Sequence, residues 1–136
     1  MIGMDTISVL WIIRILFALF MAVLFLQSGI DKITDWHGNL EWLTEHFAAS
    51  PLAGVVPAML ATVAVVELVA GGLAAAGAAS LLIFGDPALA TVAAAVAGAA
   101  LVMLFFGQRL AKDYEGAAVL ATYFILDLLG LYFLQL

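Results

Sequence analysis

The sequence predicts an all-α fold, an integral membrane four-helix bundle with a short interfacial helix between helices 1 and 2. Of its 136 residues, 67% are hydrophobic and 10% charged, whereas an average soluble domain has about 25% charged residues. A chain this short cannot hide so much apolar surface in a water-soluble core. The apolar residues also fall into four stretches of the length that one helix needs to cross the hydrocarbon, about 20 residues, parted by polar or turn-forming breaks.

The first span is expected over residues 7–30, rich in Leu, Ile and Phe all round, with Gly29 and Asp31 at its exit. It is read as a retained helix and not a signal peptide, because it lacks a basic leader, follows Asp5 and runs too long. Residues 36–48 form the interfacial segment. There Leu40, Leu43 and Phe47 share one helical face, Glu41 and Glu45 another, and Trp36 and Trp42 suit the headgroup level. Ser50 and Pro51 make a cap and first-turn pair for a second span over 52–84. Gly85-Asp86-Pro87 is a tight turn, with Asp86 capping a third span over 88–107, so that spans two and three form a hairpin. Small residues four apart, Gly72 with Ala76 and Ala94 with Gly98, are expected to let these helices pack closely. A polar link from 108 to 115 leads to the fourth span, 116–136. The whole, 1–136, reads as a single transmembrane domain.

Several function classes are disfavoured. Without cysteine the chain forms no disulfide, thiolate-held metal site, iron–sulfur cluster or thiol relay of its own, so redox chemistry would belong to a partner. Ten acids against four bases argue against nucleic acid and against a polybasic lipid-binding surface. His37 and His46 lack the helical spacing of a metal pair and do not lie where a haem would sit between helices, so neither is assigned a ligand role. Neither a phosphate loop nor a nucleophile with its base is present, so no catalytic residue is expected. Lys32, Arg109 and Lys112 fall on the side of the loops after spans one and three. The positive-inside rule would make that side cytoplasmic, by a thin margin.

The spans carry three ionisable residues that need explaining: Arg14, Glu67 and Asp127. Each costs about 2.5–3.5 kcal/mol on insertion scales and is expected to face the bundle interior. Spans two and four run the same way, so the two acids are expected at similar depth, with Arg14 reaching at least one of them as a counter-ion. With two carboxyls beside one cation, the second acid would suit a proton relay or a hydrogen bond to a quinone carbonyl; a purely structural role is the even alternative. Lys32 lies 18 residues after Arg14, about five turns at 3.6 residues per turn, and Ser28 is close to the same face. Lys32 is expected chiefly as an interfacial anchor.

The ordered set Arg14, Ser28-Gly29-Ile30-Asp31-Lys32-Ile33, Val66-Glu67, Gly71-Gly72-Leu73 and Gly77 resembles the DoxX-like family of small four-helix membrane proteins. The resemblance covers about the first 80 residues, and Asp127 has no counterpart in it. It implies a four-helix bundle associated with membrane redox systems, since namesake members are subunits of a thiosulfate:quinone oxidoreductase. The leading expectation is a small subunit of a redox or energy-converting complex in a bacterial or archaeal cytoplasmic membrane. Its polar cluster would be Arg14, Glu67, Asp127, Ser28 and Lys32. It would hold no intrinsic cofactor, contact quinone or lipid, and have membrane lipids and other membrane subunits as partners. The rivals are a purely structural accessory subunit and a proton-coupled small-molecule transporter.

Overall fold

The computed structural model describes the backbone of residues 2–136 and the side chains of residues 8–136; Asp5 lies outside the described side chains. The chain forms α1 (Ile2–Thr34), α2 (Trp36–His46), one 3-10 turn (Ala53–Val55), α3 (Val56–Phe84), α4 (Ala88–Leu110) and α5 (Tyr114–Gln135). Helices α1, α3, α4 and α5 are long and apolar enough to cross a membrane. The protein is an all-α integral membrane bundle, with α2 lying between the first two spans. Large side chains such as Leu16, Val23, Val65, Ile83, Phe84 and Ile125 point outward, a surface stable only in hydrocarbon. Helix is the form that a single segment must take there, because every backbone N–H and C=O has to find its partner within the segment.

In the bundle α1 packs on α3, α3 on α4 and α4 on α5, while α5 closes back onto α1 by a much smaller contact. Small residues set the close approaches. A Cβ placed on Gly71 would lie 2.7 Å from the backbone nitrogen of Leu26 in α1, and one on Gly77 would lie 2.6 Å from that of Ala90 in α4. The expected Gly72 and Ala76 pair is not at an interface: both are exposed, and a Cβ on Gly72 would meet nothing within 4 Å. The packing stripe is shifted by one residue, to Ala70, Gly71, Ala74, Gly77 and Ala78.

Element ends differ from the sequence expectation where a local side chain does another job. Ser50 closes α2's exit instead of opening the next span: its hydroxyl donates to the Phe47 carbonyl at 2.9 Å and accepts from Leu52 N–H at 3.1 Å. The 3-10 turn follows, and α3 opens at Val56 with Pro57 in its first turn, where a missing N–H costs nothing. Gly85 takes the left-handed conformation that ends α3, φ 67°, and Asp86 Oδ1 accepts from Ala88 N–H at 3.0 Å. Helix α4 runs three residues beyond 107, because Gly107 packs under the ring of Phe47 and does not stop the helix. Helix α5 starts two residues early, because Asp113 caps it, accepting from Gly116 N–H at 2.9 Å. Asp113→Ala should therefore lower unfolding stability by about 1 kcal/mol, measurable as a shifted midpoint in a detergent titration; an unchanged midpoint would show that the cap does not hold.

Candidate functional site

Lys32 is near the end of α1, yet its side chain turns inward. Its Nζ lies 2.7 Å from Ser28 Oγ and 2.8 Å from Glu67 Oε1. The interfacial-anchor expectation fails for a tertiary reason. Gly29 backs onto Leu68, so the last turns of α1 lie beside the interior of α3, about 16 Å from where α3 begins at 1.5 Å per residue. Glu67 is 4% exposed, and a carboxylate so placed needs a cation that also fits inside the bundle. Ser28, one turn before Lys32, steadies the ammonium with its hydroxyl.

Arg14 pairs with neither acid. Its Nε donates to the carbonyl of Phe133 at 3.0 Å, in the last turn of α5, where that carbonyl has only a long 3.4 Å bond from Leu136 N–H and the helix dipole favours a cation. A Cβ on Gly130 would collide with the ring of Phe17, so α1 and α5 are held together at this end. Trp11 works alike, its Nε1 donating to the Leu81 carbonyl at 3.4 Å in the last turns of α3. The expected single cluster is thus three separate places. Asp127 is 1% exposed, lies against Gly98 of α4, and has no hydrogen-bond partner at Oδ1.

Because α1 and α5 meet closely only at the Arg14 end, they leave a gap at the other. A cavity of about 400 Å³ lies there, with Leu24, Phe25 and Ser28 of α1 on one wall and Val119, Leu120 and Tyr123 of α5 on the other. Lys32 and Glu67 supply its polar end, and Gln108 joins them from α4. A second cavity of about 370 Å³ reaches Lys32 from its other side, between α2, α3 and α4, and is almost wholly apolar. Leu43 of α2 borders both. Comparison with protein-family models, curated proteins and solved structures gives no match.

Helix α2 is pinned over these cavities by His46, a residue with no ligand role expected from the sequence. His46 Nε2 lies 2.7 Å from Gln108 Oε1 and 3.6 Å from Asp113 Oδ2. Both facing atoms are acceptors, so Nε2 acts as the donor. The His46 ring stacks on Trp42 with centroids 4.5 Å apart. Sequence reasoning also passed over Gln108 and Tyr123. The one available signal was that Tyr123 falls four residues before Asp127, on the same helix face.

Chemically, the polar end is a compensated ion pair. An ammonium has three N–H donors; the Ser28 hydroxyl takes one, Glu67 faces another, and the third meets the Ser28 carbonyl only at 3.5 Å, a long contact that a better acceptor could replace. The Glu67 carboxylate keeps acceptor capacity. Such a site favours a neutral head group with oxygen atoms that accept and donate, set on an apolar body, over a simple anion or cation. Among the described residues no three His, Asp or Glu side chains gather as a metal-binding group.

Proposed function

We propose that the protein is a small membrane subunit holding a quinone-class head group for a larger redox or energy-converting assembly, in a bacterial or archaeal cytoplasmic membrane. The observation that carries this reading is the cavity between α1 and α5, with apolar walls and the Lys32–Glu67 pair at its end. A lipid-dissolved molecule entering between α1 and α5 would meet apolar walls first and the ion pair last. The resemblance to the DoxX-like family supports the same reading, because its residues Ser28, Lys32 and Glu67 are those that meet here.

A second reading, a purely structural accessory subunit, is favoured by the completeness of the Ser28–Lys32–Glu67 contact, which serves as a staple between α1 and α3 with no ligand at all. The test is a gentle-detergent pull-down of tagged protein from native membrane, followed by quinone extraction and by titration of the purified protein with a short-chain quinone. Wild type should retain quinone and redox subunits. Glu67→Gln should bind about 10- to 150-fold more weakly, the loss of one hydrogen bond to a charged group at about 1.5–3 kcal/mol. Val119→Trp, which fills the cavity without touching the ion pair, should bind none. A wild-type protein that comes down quinone-free and does not respond to the titration would overturn the quinone reading and leave the structural one.

A further inference from the structure

Glu67 has a cation and Arg14 has a carbonyl; Asp127 is the intramembrane charged residue left without either among the described residues. We propose that Asp127 is a proton-exchanging carboxyl, loaded and unloaded from the floor of the α1–α5 cavity. This goes beyond quinone binding and does not depend on what the cavity holds.

Three observations converge on it. The first is the environment. Asp127 is fully buried, and Oδ1 accepts no hydrogen bond. The groups that could compensate a charge there are few. The membrane span of α1 carries two cations: Arg14, bonded at Phe133, six residues further along α5, and Lys32, paired with Glu67. On α3 the titratable residue is Glu67, already beside Lys32. Helix α4 carries none before Arg109, and on α5 itself the nearest is Tyr123. A proton on Oδ1 makes that atom a donor, able to bond a helix carbonyl, so gaining and losing one proton switches the side chain between two bonding states.

The second observation is the position. Tyr123 and Leu101 line the cavity. Asp127 is four residues past Tyr123 on α5, and Gly98 is three residues before Leu101 on α4. The Asp127–Gly98 pair is therefore the layer directly beneath the cavity's lining, one helical turn down on each helix. The third is the room made for it. A Cβ on Gly98 would lie 2.8 Å from Asp127 Oδ2, so glycine at 98 leaves the carboxyl a place that alanine would contest. The exchange is a plain proton transfer: a hydronium reaching the cavity from bulk water gives H⁺ to the carboxylate, leaving water and the neutral acid, and the reverse step returns it. No oxidant or reductant enters.

Two measurements test this. Infrared difference spectra of the purified protein should show a carbonyl stretch of a protonated carboxylic acid that changes amplitude with bulk pH, shifts quickly in D₂O, and is missing in Asp127→Asn. Independently of any variant at 127, dicyclohexylcarbodiimide, which couples to protonated buried carboxyls, should label wild-type Asp127 by peptide mass spectrometry. Labelling should be several-fold slower in Val119→Trp, whose indole fills the cavity. A band that neither titrates nor exchanges short of unfolding would overturn the proposal in favour of a static hydrogen bond. Labelling of Asp127 at an equal rate in Val119→Trp would overturn the route through the cavity.

Discussion

Lys32→Met should be among the most damaging single substitutions in this chain, costing about 3–5 kcal/mol as expected when one member of a buried ion pair is removed. The carboxylate left behind, Glu67, is 5% exposed in its side chain, lies well inside α3 and has a short stem, so it cannot swing out to the headgroup level. The reciprocal change, Glu67→Leu, should cost clearly less. Lys32 is 18% exposed and sits two residues from the end of α1, so its ammonium can swing toward the headgroup level once its partner is gone. The double variant Lys32→Met with Glu67→Leu removes both charges. It should recover to within about 1 kcal/mol of wild type or exceed it, because apolar replacement of a buried pair is often neutral or stabilising. Reversible unfolding in mixed detergent, followed by helicity, supplies the full cycle. Additive single effects would show that the two side chains do not interact in the folded protein, and equal single effects would show that Lys32 is as deeply trapped as Glu67.

The four spans and the breaks between them were legible because the bilayer leaves the backbone one choice per segment, and hydropathy alone reports it. The charges in the spans were legible as positions, since they stand out against a uniformly apolar background. Their partners were not. Arg14 found a backbone carbonyl at Phe133, and a carbonyl has no signature in a sequence. Lys32 looked interfacial because it closes α1, but its depth is fixed by how far α3 overhangs it. Ser28 was the better clue, sharing a face with Lys32 one turn away. The one-residue error between Gly72 and Gly71 has the same root. When lipid and bundle interior are equally apolar, the pattern that marks the buried face of a water-soluble helix is missing, and nothing local distinguishes neighbouring glycines.

Those glycines give the second large effect, and one that tests the rotation of α3 directly. In Gly77→Ala the new methyl would lie 2.6 Å from Ala90 N and 2.7 Å from Ala90 Cα. These are backbone atoms of α4 that no rotamer change can move, so α3 and α4 must part along the hairpin. Overpacking of this kind costs about 1–3 kcal/mol, and the helices here lack a water-driven force to close them again. Gly72→Ala adds the same methyl five residues away on the same helix, where nothing lies within 4 Å. It should be neutral or stabilising by up to about 1 kcal/mol, since alanine restricts the unfolded backbone and favours helix. The two variants have the same composition and share any effect on intrinsic helicity, so their difference reports contact alone. Measured side by side in the same detergent titration, a gap with Gly77→Ala the weaker protein fixes which edge of α3 faces α4. A gap of the opposite sign would rotate α3 about its axis, carry Glu67 away from Lys32, and remove the polar end of the site proposed to hold a quinone.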